Sequence, residues 1–89
     1  MRVLIAEPYP LLHAAIRAQV ERLFPPSVFV GPRVANGNEA LRLLTENSWD
    51  LFITEIMLST RDGLQVISRL RSTGRTIPSL VLTTLKEEV

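Results

Sequence analysis

The 89-residue sequence contains no cysteine, which excludes a disulfide scaffold and any thiolate metal site. That absence fits a cytoplasmic protein. Aromatic residues make up only 6% of the chain, and no basic run is interleaved with them, so nothing argues for direct nucleic-acid binding. Neither sign of charge dominates: Lys and Arg total 10 against 9 Asp and Glu, interspersed along the chain for a net charge of +1. Long apolar runs are also missing. Val3-Leu-Ile-Ala6 gives way at once to Glu7, too short for a signal peptide or a membrane span, so no membrane association is expected. No repeat, linker or low-complexity segment interrupts the chain, and residues 1–89 read as one domain.

What is present is a globular composition, 46% hydrophobic, at a length that buries roughly 60 to 65% of the unfolded chain's surface. Residues 2–6 form an apolar strand stopped by Glu7-Pro8, and Pro10 suits the first turn of a helix. Leu12, Ile16, Val20 and Leu23 recur at helical spacing as its core face, widened by a stripe of Leu11, Ala14, Ala15 and Ala18. Pro25-Pro26 ends that helix. Residues 28–34 read as a strand, and Pro32 inside it demands a sheet edge. Asn36 with Glu39 is a variant capping box opening a second helix, with Ala40, Leu41, Leu43 and Leu44 on its buried side and Asn47-Ser48 at its end. Trp49 is expected to lie as a lid over the bottom of the core. Residues 51–54 form a strand buried on both faces, followed by helical spacing at Gly63, Val66, Ile67 and Leu70 and a stop at Gly74. Pro78 leads into a fourth strand over 79–83. This alternation implies right-handed βαβ units and an α/β architecture with an open parallel sheet.

The chain is organised around Asp50-Leu-Phe-Ile-Thr-Glu-Ile-Met-Leu-Ser-Thr-Arg-Asp-Gly63, where a strand ends in the carboxylate of Glu55. Open α/β sheets place ligands at such strand ends. This stretch resembles the phosphorylation-site strand of a response-regulator receiver domain. Three further stretches agree in order and spacing: Leu4-Ile-Ala-Glu-Pro-Tyr-Pro-Leu-Leu12, Ala35-Asn-Gly-Asn-Glu-Ala-Leu41 and Leu80-Val-Leu-Thr-Thr84. The form is that of receivers in regulators with a helix-turn-helix output domain. The resemblance implies a flavodoxin-like receiver fold of strand order 2-1-3-4, without the family's last helix, strand and helix. It also places the family's site on this chain. The acidic pair falls on Glu7 and Pro8, the phosphoacceptor on Glu55 in place of Asp, a proline on Ser59, and the phosphoryl-binding hydroxyl on Thr83. The family's lysine and aromatic switch have no counterpart here.

Phosphoryl transfer to a carboxylate requires a nucleophile in line, Mg²⁺ on the phosphoryl oxygens, and donors to hold them. Pro8 supplies no oxygen ligand. Glu55 carries its carboxylate one C–C bond further out, about 1.5 Å, and a misplacement of about 1 Å costs on the order of 100-fold. The expectation is a non-enzymatic pseudo-receiver without Mg²⁺ or other cofactor. It would act by protein–protein contact, independently of phosphorylation, as the regulatory part of a transcriptional regulator. Glu7 and Glu55 are expected in a solvated cleft beside Arg61 or Lys86; alternatively Glu55 mimics the phosphorylated state, accepting from Thr83 or Lys86. Rival readings are a phosphoacceptor using Glu55, and a decoy that binds a histidine kinase or a full-length regulator. A homodimer or domain-swapped oligomer is expected, with Leu11, Ala14, Ala15, Ala18, Leu80 and Leu82 as contacts. His13 is expected at the surface, and Ser59 and Thr60 are loop hydroxyls with no base beside them.

Overall fold

The apolar runs and helical spacings resolve, in a computed structural model that describes residues 1–83, into alternating strands and helices. These are β1 (Arg2–Ala6), α1 (Pro10–Leu23), β2 (Phe29–Val30), α2 (Gly37–Glu46), β3 (Leu51–Glu55), α3 (Gly63–Ser72) and β4 (Ser79–Leu82). All strand pairs are parallel and the sheet order is β2-β1-β3-β4, as the resemblance implies. Residues alternate between the two faces of each strand. Leu4, Ala6 and Phe52 therefore pack with Ala40, Leu44, Val66 and Leu70 under α2 and α3, whereas Val3, Ile5 and Ile53 pack with Val20 and Val30 under α1. No helix among the described residues is long and apolar enough to cross a membrane.

Local signals explain most boundaries. Asn36 Oδ1 accepts from the Glu39 N–H at 2.9 Å and opens α2. A reciprocal box absent from the sequence reading opens α3: Asp62 Oδ1 accepts from the Gln65 N–H at 2.8 Å, and Gln65 Oε1 accepts from the Asp62 N–H at 2.9 Å. Losing such a cap typically costs about 1 kcal/mol. Gly74 follows α3 at φ 85, a left-handed conformation that glycine adopts without Cβ strain. Trp49 is buried, donates Nε1–H to the Leu43 carbonyl at 2.9 Å, and carries the Arg2 guanidinium 4.8 Å from its ring centre. It is the expected lid.

Two expectations fail. The second strand is not continuous over 28–34: pairing with β1 covers Phe29 and Val30, and Val34 rejoins through an isolated bridge to Ala6. Pro32 has no N–H to give the ladder, so the chain lifts off and returns, although the edge position is as expected. The phase of α1 is also different. Its inward line is His13, Ile16 and Val20, while Leu12 and Leu23 are 45% and 71% exposed and Leu11, Ala14, Ala15 and Ala18 all face outward. One helix laid on a sheet buries a single stripe, and the entry from β1 through Tyr9 and Pro10 sets which stripe it is. The apolar residues on either side overhang.

Candidate functional site

Strand register builds the site. Ala6 pairs with Thr54, so Glu7 and Glu55 follow side by side at the carboxyl ends of β1 and β3. Glu55 pairs with Leu82, so Thr83 comes next beyond β4, one residue later than the strand itself runs. Glu7, Glu55 and Thr83 thus share one end of the sheet, with Pro8 next in line.

The glutamates are not in a solvated cleft. Glu7 is 2% and Glu55 7% exposed. Burying a carboxylate is costly unless it is hydrogen-bonded, and here the backbone supplies donors. Glu7 Oε1 accepts from the Tyr9 N–H at 3.1 Å. Glu55 Oε1 accepts from Ile56 N–H at 3.0 Å and more loosely from Met57 N–H at 3.4 Å. Both carboxylates turn onto the chain that leaves their own strands. Arg61 is not their counter-charge: its Nε donates to Asn38 Oδ1 at 2.9 Å, at the start of α2. Lys86 lies outside the described residues. Pro8 contributes its carbonyl, which accepts from Arg33 Nη1 at 3.0 Å.

The loop from β3 to α3 is folded tightly over this end. Gly63 N–H donates to the Ile56 carbonyl at 2.9 Å, and a Cβ on Gly63 would lie 2.5 Å from the Glu55 carbonyl oxygen. Only glycine lets α3 start that close. At the other side of the loop Gly37 N–H donates to the Ser59 carbonyl at 3.0 Å, and Thr60 Oγ1 accepts from the Asn38 N–H at 3.0 Å. Thr60 therefore has a structural partner, and its φ of 66 is unusual for a β-branched residue.

The donors at this end of the sheet can be set against the needs of Mg²⁺. The ion requires near-octahedral oxygen ligands, usually one or two carboxylates with waters. Pro8 offers no side-chain oxygen, and each glutamate already spends an oxygen on backbone N–H groups. Among the described residues no group of three or more His, Asp and Glu is placed to hold a metal.

His13 is a residue that sequence reasoning misplaced. It is only 7% exposed, and its Nε2 has no hydrogen-bond partner among the described residues. Burial, then the charges of Arg17 on α1 and Arg33 in the β2–α2 segment, lower its pKa from the ordinary histidine value. The 13, 16, 20 spacing marks it in retrospect, since the helix face that buries Val20 also buries residue 13. A histidine that binds protons less readily when folded leaves its contribution intact above the unfolded value of about 6.5. Stability then falls as pH drops below that value and levels off beneath the folded pKa. Urea melts between neutral pH and the top of the carboxylate range should show this loss, and His13→Gln should flatten it. An equally steep profile in the variant would assign the effect to other groups.

Comparison with known proteins matches the geometry. The family model of the response regulator receiver domain matches residues 3–89. The response regulator MprA of Mycobacterium sp. (strain KMS) is 36% identical over 69 residues, which is 78% of this chain and 30% of that protein. An uncharacterized transcriptional regulatory protein, YclJ of Bacillus subtilis (strain 168), is 31% identical over 83 residues, covering 93% of this chain and 34% of that one. The chain thus spans about a third of the length of these relatives. A solved DNA-binding response regulator of the LuxR family from Staphylococcus aureus superposes with a TM-score of 0.84 at 23% identity, over 97% of this chain and 70% of that one.

Proposed function

The chain belongs to the response regulator receiver domain family, and from that membership we propose a receiver that signals by protein–protein contact without being phosphorylated. The observation that carries the proposal is the end of the sheet, where Pro8 stands at the metal-ligand position and the buried Glu7 and Glu55 are tied to backbone N–H groups. A carboxylate oxygen held by backbone N–H groups is drawn toward its own chain and away from an incoming phosphorus or a Mg²⁺ shell. The reading includes a role as the regulatory part of a transcriptional regulator, supported by the regulators MprA and YclJ among its relatives. A histidine kinase or another regulator is the partner class that this family membership favours.

The expected result is that millimolar Mg²⁺ leaves the amide resonances of Glu7, Glu55 and Ile56 unmoved, and that small phosphodonors leave the intact mass unchanged. A mass gain of one phosphate would overturn the proposal in favour of a phosphoacceptor at Glu55.

Self-association is part of the same proposal. Ile16, Val20, Leu23, Phe24, Leu80 and Leu82 line an apolar groove of about 370 Å³ beside α1, and Leu11 and Leu80 are exposed. Among the described residues β4 pairs only with β3, and an unpaired strand edge is where the strand of a second copy would add. If folding is coupled to pairing, the melting temperature should rise with protein concentration. A compact monomer in sedimentation with a concentration-independent melt would reject this.

A further inference from the structure

A second surface, away from the paired glutamates, is built on opposite chemistry. The face of α3 that does not enter the core carries Gln65, Ser68, Arg69 and Ser72, spaced i, i+3, i+4 and i+7 along one stripe. Asn38, Arg42 and Thr45 run parallel to it on α2. Between the two stripes lies a groove of about 540 Å³ that continues into a second part of about 360 Å³, with Asn38, Arg61 and Arg69 common to both. Three arginines line it, Arg42, Arg61 and Arg69, and no Asp or Glu does.

The arginines are held but not neutralised. Arg61 lines the groove and is fixed by one bond from Nε to Asn38 Oδ1, which leaves its terminal nitrogens available as donors. The Arg69 guanidinium has no hydrogen-bond or ion-pair partner among the described residues. Arg42 is paired with Glu46 at 3.1 Å in an exposed i,i+4 contact, the kind that exchanges readily for a better anion. Arg61 follows Thr60, whose left-handed backbone is held where its Oγ1 accepts from the Asn38 N–H. Several forks of N–H donors spread along a channel suit a row of carboxylates better than one compact anion.

From this charge complementarity we propose that the α2–α3 groove binds an extended, carboxylate-rich segment of a partner protein, with Arg42, Arg61 and Arg69 as its contacts. It does not depend on the state of Glu55, so it stands or falls separately from the phosphorylation reading.

The test is titration of the full chain with a short Glu-rich peptide, followed by amide shifts, beside its Gln-for-Glu counterpart, inorganic phosphate and single-stranded DNA. The Glu-rich peptide should shift Asn38, Ser68 and Arg69, and its affinity should fall about tenfold as salt rises from about 0.01 to about 0.15 M. The Gln peptide should not bind. Arg42→Gln with Arg69→Gln should weaken binding about tenfold, and Arg69→Lys should weaken it less than Arg69→Gln; unchanged thermal melts show that these exposed substitutions leave the fold intact. Absence of binding, shifts elsewhere on the protein, or indifference to the arginine substitutions would overturn the proposal. So would phosphate moving the same amides as strongly, which would make this a simple anion site, or DNA binding as tightly, which would make it a general polyanion surface.

Discussion

Gly37→Ala is expected to cost about 3 kcal/mol, among the largest single-residue losses available in this chain. A methyl group at position 37 would coincide with the carbonyl oxygen of Arg61, a backbone atom in a loop pinned on both sides. Ser59 accepts from the Gly37 N–H and Thr60 accepts from the Asn38 N–H, each at 3.0 Å, so the loop cannot move without losing both bonds. The gain from replacing glycine in a helix, at most about 1 kcal/mol, is too small to compensate. A domain of this size has a total stability of roughly 4 to 13 kcal/mol, so the variant should lose about a quarter of it or more, measured as a fall in the urea midpoint. Gly74→Ala is the comparison. Its site is open, with nothing within 4 Å of an added Cβ, and only the left-handed φ of 85 opposes the change, at about 1 to 2 kcal/mol. If Gly74→Ala proved the more damaging, the packing of the β3–α3 loop on α2 would have been misjudged.

Pro8→Asp combined with Glu55→Asp should give a chain that binds Mg²⁺ at millimolar concentration. Glu55→Asp alone should not, because shortening the acceptor leaves the proline where an oxygen ligand is needed. The double variant places three carboxylates, at positions 7, 8 and 55, at one buried end of the sheet. Like charges there repel, so without metal it should melt below the parent chain. Mg²⁺ binding only the folded state would recover about 1.4 kcal/mol when its concentration is ten times the dissociation constant. Thermal melts with and without Mg²⁺ separate the outcomes, and partial acceptance of phosphate from small phosphodonors is the accompanying gain. Mg²⁺ binding by Glu55→Asp alone would show that Pro8 is not what blocks the site.

The site was only partly legible before folding. Glu7, Pro8, Glu55 and Thr83 could be placed together through the receiver resemblance, and the parallel strands do bring their carboxyl ends to one side. How the carboxylates would be satisfied could not be read. Glu7 and Glu55 turn to backbone N–H groups one or two residues downstream, and the cation expected beside them, Arg61, is taken by Asn38 from 23 positions away in sequence. The exposed dimer candidates divide similarly. Leu11 and Leu80 are exposed, while Leu82, on the same face of β4 as Leu80, is half-buried against the sheet face that α1 covers.

The sequence by itself determined the order and type of the elements, the parallel sheet with β2 at an edge, the cap at Asn36, the stop at Gly74 and a carboxylate at the end of β3. These follow from short apolar runs, from period-3.6 spacing and from the backbone limits of proline and glycine, which act within a few residues. Only the tertiary structure decided the rotation of α1 that buries His13 and exposes Leu12 and Leu23. It also decided the burial of Glu7 and Glu55, the contact that reserves position 37 for glycine, and the meeting of Arg42, Arg61 and Arg69 in one groove. The physical reason is common to all of these. Each depends on where a segment distant in sequence comes to rest, and local spacing fixes a helix's stripes without fixing which of them meets the sheet.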